Sequence, residues 1–315
     1  MTYEFSYVRL GQANLEGATE ALFRDQFMPE LITQFDAKRI MKNYVRSKTI
    51  SKGKSASFPV LGTTSAKYMG VGDAALGNQT IGHNEITINL NPLLVSDIAI
   101  HELDAKMQEY DDRAEITREM GRALANTEDK QLLIVGCLAA RASAPVVGGN
   151  GGTVISEANM ATDAATLAAA IYSAGVQMDV KNIPEEDRNC VVRPLQFAML
   201  AQYENIADKN IGGGDYASGR VGELNNIRII KSNHLPSANI AQGSDKSSPN
   251  YYYYGDFSKT VGLVFTREAV GTVSRAGLIT EVSWNPERFH HLITARILQG
   301  HGILRPDCAV ELKTT

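Results

Sequence analysis

The sequence predicts an α+β fold in which strands feed one long helix, an α/β insertion follows it, and further strands return at the end. Three observations predict this. A proline-free run from His101 to Ala142 is rich in Ala, Leu, Glu, Lys and Arg, the strong helix formers, and at 1.5 Å per residue it reaches about 60 Å. The segments before and after it alternate apolar and polar residues with the period of two that marks strands. Between 163 and 267, helical and strand patterns take turns.

Residues 1–17 are glycine-punctuated and read as an extended arm. Phe23, Phe27, Leu31 and Phe35 recur every four residues, an amphipathic helix over 18–35 that Pro29 kinks or splits. KNYVRSKTI suits a strand, SKGKS a glycine turn, and ASFPVLG an apolar segment whose Pro59 favours a sheet edge. Residues 62–84 hold five glycines and too few core-forming side chains, so they read as a long projecting loop or hairpin. Ile86, Ile88 and Leu90, then Val95, Ile98 and Ile100 after Pro92, alternate as strand leading into the long helix.

On that helix Leu103, Met107, Tyr110 and Ala114 mark one apolar face, and the phase then shifts to Ile116, Met120, Ala123 and Leu124. The buried stripe therefore winds around the rod or breaks near Asp112. From Leu132 to Ala140 the run is apolar all round except Gly136, which requires cover on every side. Gly121 and Gly136 each cost about 1 kcal/mol relative to Ala, and a close backbone neighbour is the expected compensation. The helix alone suits a helical enzyme domain as well as a spine that other parts cross.

Residues 143–159 form a Gly-rich linker. Thr162–Met178 is helical with Asp163 near its N-terminal end, RNCVVR is a short buried strand, and Pro194 opens a helix over 194–203. GGGDYASG reads as a flexible loop, NIRIIKSN as a strand, 235–259 as a second polar loop, and Val261–Phe265 as a strand. The last fifty residues are strands again, AVGTVSRAGLITEVSW and FHHLITARILQGHGI, and they return to the sheet that feeds the long helix.

Composition bounds the function. With 43% hydrophobic and 21% charged residues the 315-residue chain is an ordinary globular protein of one large or two smaller domains. A net charge of −4 argues against a sequence-reading nucleic-acid binder. No apolar run reaches the roughly 18 residues that span a bilayer, and MTYEFSYVRLGQ lacks the pattern of a secretory signal. Cys137, Cys190 and Cys308 are widely spaced in apolar surroundings and read as buried reduced thiols.

No constellation for catalysis emerges. Gly53-Lys54-Ser55 lacks the first glycine of a P-loop, Lys48 standing in its place, and SASFPVLG is no helix. His290 and His291 are adjacent, so on a strand they face opposite sides and cannot share a metal; His301 sits in QGHG, read as a turn. Asp111-Asp112 and Glu185-Glu186 suit solvated charge. Tyr251–Tyr254 suits an interface-forming loop or strand better than a stacking surface. A chain with a spine, a projecting loop and no active site reads as a structural subunit, with no cofactor.

A family resemblance enters here. Val45-Arg46-Ser47 followed by Gly53-Lys54-Ser55-Ala56-Ser57-Phe58-Pro59-Val60-Leu61-Gly62 resembles the major capsid proteins of T7-like short-tailed phages. Similar in order are Ile86-Thr87-Ile88, Leu93-Leu94 and Asp97, then Tyr110-Asp111 and Arg113; Arg267 and Ala269–Val273; and Gly300-His301-Gly302, Leu304-Arg305-Pro306. Ala21-Leu22-Phe23 with Phe35 is a weaker echo, and 143–260 departs from the family in length and sequence.

The resemblance implies an HK97-like capsid fold: an N-terminal arm (1–39), a P domain (40–144 and 268–315) carrying the spine helix and an E-loop (about 50–85), and an A domain (145–267). It implies a late structural protein that self-assembles into hexamers and pentamers of an icosahedral shell with a separate scaffolding protein. A portal protein, and in some shells a decoration protein, are the further partners it implies. The shell encloses double-stranded DNA without sequence-specific contacts, is assembled in the host bacterial cytoplasm, and has T=7 as the family expectation. Lys54, Phe58, Leu61, Tyr68 and Met69 are the expected assembly contacts. An encapsulin-type nanocompartment, which shares the fold but not these motifs, and an α/β enzyme stay open as alternatives.

Overall fold

The proline-free run forms helix α1 (Arg113–Arg141), 29 residues long and so about 44 Å. His101, the first residue of that run, instead ends strand β4 (Leu94–His101), into which the alternation of Ile98 and Ile100 carries on. The computed structural model describes residues 39–64, 66–72, 74, 77, 81–101, 113–203, 223–245, 248 and 250–315. The expected helix over 18–35, the face of Leu103, Met107, Tyr110 and Ala114, the Asp111-Asp112 pair and the GGGDYASG loop lie outside that description.

Along α1, Met120 and Leu124 are buried as their spacing predicts, but Ala123 is exposed and Thr117 takes the inward position instead. Leu132–Val135, Cys137, Ala139 and Ala140 are all buried, as a run apolar on every side requires. The neighbour that explains Gly136 is a side chain, not backbone: a Cβ there would lie 2.6 Å from Leu263 Cδ2.

The remaining elements are β1 (Arg46–Thr49), β2 (Ser55–Leu61), β3 (His83–Asn89), β5 (Thr153–Glu157), α2 (Ala164–Val180), β6 (Asn189–Val192), α3 (Pro194–Gln202), β7 (Glu223–Leu224), β8 (Ile227–Lys231), β9 (Asn239–Ile240), β10 (Gly255–Asp256), β11 (Thr260–Phe265), β12 (Val270–Asn285), β13 (His290–Ile303) and β14 (Ala309–Thr314). Asp163 caps α2, accepting from the backbone N–H groups of Ala165 and Thr166, the role its position predicts. The chain divides into two compact units. Among the described residues, one holds 95–101, 113–125 and 278–296; the other holds 39–94, 126–203, 223–277 and 297–315.

The larger unit contains a six-stranded sheet of order β5-β14-β11-β6-β8-β7. Every residue of β6 and β11 is buried, as unbroken apolar strands covered on both faces should be. Two expectations need correction here. The 143–159 linker contains strand β5, which pairs in parallel with β14; the adjacent Val154 and Ile155 give no alternation, and the glycines before them hid a five-residue strand. The terminal strands also divide. β12 and β13 join β1 and β4 in a four-stranded sheet, as expected, whereas β14 lies between β5 and β11 in the six-stranded one.

Gly300-His301-Gly302 is strand, not turn: His301 lies within β13 and is buried. The glycines are there because another strand crosses closely. A Cβ on Gly300 would sit 2.0 Å from Asn89 O, and one on Gly302 would sit 2.8 Å from Ile88 Cγ1. Backbone cannot swing aside as a side-chain tip can. Gly300→Ala is therefore expected to destabilise by the 1–3 kcal/mol of core overpacking or somewhat more, read as a lower urea midpoint, whereas Gly277→Ala, with nothing within 4 Å, serves as the silent control.

Candidate functional site

β2 and β3 form an antiparallel two-stranded ribbon in which Ala56 faces Ile88 and Phe58 faces Ile86. Gly53, at φ +97°, makes the turn into it. One end is closed by the Leu90 N–H donating to Lys54 O at 2.8 Å, the other by the Gly62 N–H donating to Gly82 O at 2.8 Å. No helix follows Gly53-Lys54-Ser55, so the turn is the base of a ribbon and not a phosphate cradle.

The strand alternation sorts the expected contact residues. Phe58 turns inward with Ala56 and packs with Ile88, Val273 and Leu304. Lys48 Nζ lies 5.2 Å from its ring centroid and donates to Ser57 O at 3.3 Å. The expectation that Phe58 awaits a neighbouring subunit is thus corrected: period two puts it on the ribbon's covered face, where it is 8% exposed. Lys54, Leu61, Tyr68 and Met69 are all exposed, and so is Val71, which sequence reasoning passed over. Tyr68 and Val71 have no side-chain cover at all.

The far end of the ribbon is held by the loop after α1. Thr63 Oγ1 donates to Gly148 O at 3.0 Å, and Asn84 Nδ2 donates to Pro145 O at 2.5 Å. A Cβ on Gly82 would meet Val146 Cγ1 at 2.6 Å. Ribbon and loop line an open cleft of about 800 Å³ together with Lys181, Glu268 and Arg305. Its charges are largely spoken for: Arg305 pairs with Glu268 at 2.6 Å and Asp307 at 2.8 Å, and Lys181 donates to Gly151 O at 2.7 Å and Thr153 Oγ1 at 2.5 Å.

Two buried charge clusters were not found from sequence. Glu311, fully buried, takes both donors of Arg141 at 2.5 Å and also accepts from Thr260 Oγ1. Glu128 accepts from Arg39 Nη2 at 2.6 Å, while Asp129 accepts from the N–H groups of Ile40 and Met41. Burial raises the pKa of both Glu128 and Asp129. The available signal was a pair of acids on a helix that should read apolar from there on, and a lone Glu in the apolar run Ala309–Leu312.

Tyr253 is a core residue, whereas Tyr252 and Tyr254 are exposed. Its hydroxyl accepts from Asn91 Nδ2 and from the backbone N–H of His301. Burial, with the Arg39 charge adding to it, holds His301 at a pKa of about 3 against an ordinary 6.5. A folded pKa below the unfolded one means stability that is fully present above pH 6.5 and is lost as pH falls from there toward 3. The difference in urea midpoint between wild type and His301→Asn is expected to shrink across that window.

The thiols are poor nucleophiles: burial pushes Cys190 up to about 12 and Cys308 up to about 11. Among the described residues no three His, Cys, Asp or Glu side chains gather as a metal site, and no helix is long and apolar enough to cross a membrane. What the surface offers is an exposed apolar ribbon end on a braced stem, a shape suited to contact with another molecule.

A family described as Gp10A-like, major capsid protein, matches residues 57–313. The chain belongs to that family. The bounds of the match take in 143–260, where the short motifs stop. The chain is 27% identical to the major capsid protein of Escherichia phage T7 over 312 residues, covering 92% of this chain and 90% of that one. The capsid structure of cyanophage P-SCSP1u is similar at a TM-score of 0.78 and 35% identity, covering 86% of each chain. The mature capsid of bacteriophage PhiM1 shares the fold at a TM-score of 0.74 and 18% identity, covering 100% of this chain and 92% of that one. This capsid protein therefore has an HK97-like α+β fold, forms a shell with copies of itself, and belongs in the virion.

Proposed function

We propose that this capsid protein builds an icosahedral shell of hexamers and pentamers around double-stranded phage DNA, with a separate scaffolding protein, in the host bacterial cytoplasm. A portal protein occupies one vertex, and the shell has room for a decoration protein. The role is structural, without catalysis. DNA is enclosed without sequence-specific contacts, which suits a chain of net charge −4, since a strongly basic lining would hold the entering duplex by its phosphates. The assignment of 1–39 as arm, 40–144 and 268–315 as P domain and 145–267 as A domain belongs to this reading, with β14 lent by the C-terminal segment to the A-domain sheet.

The observation that carries the proposal is the braced ribbon β2–β3, with Leu61, Tyr68, Met69 and Val71 exposed beyond its covered face. As the E-loop it lies on a neighbouring subunit, where these side chains are buried and Lys54 stands at the stem. The test is electron microscopy of the protein expressed with and without the scaffold gene of the same genome. Uniform closed shells with scaffold, and irregular or open assemblies without it, are expected; a compact monomer under both conditions across salt concentrations overturns it.

A further inference from the structure

We propose that Glu128, Gln299 and His301 form a buried hydration site, holding one or two ordered water molecules, at the joint between helix α1, strand β13 and the segment that starts at Arg39. Three side-chain atoms carry this: Glu128 Oε2, Gln299 Nε2 and His301 Nε2 are each shut off from solvent and lack a hydrogen-bond partner of normal geometry within the chain. Their residues are 1%, 7% and 7% exposed. An unsatisfied buried polar atom loses its hydration without compensation, so three together are not left that way in a stable protein.

The three atoms converge. Gln299 and His301 are two apart on β13, so their side chains share one face of the strand. The Gln299 amide lies near enough to Glu128 to favour its charged form, although the pair does not reach bonding geometry. Arg39, bonded to the other carboxylate oxygen at 2.6 Å, is close enough for its charge to act on His301. His301 Nδ1 pairs with Thr272 Oγ1 at 3.0 Å, and the strand backbone is held by the His301 N–H on Tyr253 Oη and by the Gln299 carbonyl, which accepts from the Asn91 N–H at 3.2 Å.

The chemistry selects water over an ion. One carboxylate oxygen accepts, one amide donates, and a neutral imidazole nitrogen accepts or donates by tautomer, the two-to-four-partner set that a buried water needs. An anion meets the Glu128 carboxylate, and a cation meets the Arg39 guanidinium. A water bridge also lets the joint shift slightly without stranding a charge, because its hydrogen bonds re-form at new positions.

The test is a density map of the assembled shell at a resolution that shows ordered water, with urea midpoints of Gln299→Leu, His301→Leu and the double variant beside it. Density bridging the three side chains, and a double variant no less stable than the worse single one, are expected, since both singles remove the same bridge. Direct contact of Glu128 with Gln299 without intervening density, a metal-like peak, or strictly additive losses overturns the proposal. If the variants do not fold, the map alone decides.

Discussion

Replacing residues 65–81 with a short Gly-Ser turn is expected to abolish shells and leave the thermal midpoint of the free subunit nearly unchanged. The two effects separate because Tyr68 and Val71 bury nothing in the chain itself, while the stem is secured independently by the Gly62–Gly82 bond and the Thr63 and Asn84 contacts. Ordering a segment costs about 1–2 kcal/mol of backbone entropy per residue. Side chains such as Tyr68 and Val71, uncovered at home, recover this only on another surface, here a neighbouring copy. Calorimetry and electron microscopy on the same variant check both halves. A clear fall in the subunit's midpoint would mean that the loop lies over its own core.

Arg141→Met is expected to destabilise the subunit by about 3–5 kcal/mol, the usual result of stranding one member of a buried pair. Glu311 is fully buried on β14, and each of its oxygens accepts from Arg141, one of them from Thr260 as well. Against a total stability of about 5–15 kcal/mol that loss is read as a large shift in denaturant midpoint and a poor soluble yield. The double variant Arg141→Met, Glu311→Leu is expected to recover most of it, because no charge is then left in the core. Equal losses in single and double variants would assign the effect to packing around Phe257, over whose ring the guanidinium sits at 4.9 Å.

Much of this was legible beforehand because periodicity reports burial directly. The ribbon, β8 and the long hairpin strands announce themselves through alternation, β6 and β11 as short apolar runs, and α2 through its alanines and its Asp163 cap. What stayed hidden is non-local. Whether Phe58 points to a neighbour or to its own core depends on which face of a strand the sheet covers, and only Val273 and Leu304, more than two hundred residues away, decide it. The role of Gly300 depends on Asn89 O, and that of Glu128 on Arg39. His301 looked like a turn residue because glycines flank it; close crossing of strands needs the same small residues as a turn does.

The placement of β14 bears on how the protein is made. Residues 309–314 are synthesised after every other part of the six-stranded sheet, yet they lie inside it, between β5 and β11. Until that segment leaves the ribosome, β5 has no partner and β11 lacks one edge, so the nascent chain carries an open, sticky sheet and cannot yet present a finished surface to its neighbours. The sheet therefore closes only once that strand has been made, and a product truncated before it leaves β5 unpaired and one edge of β11 open.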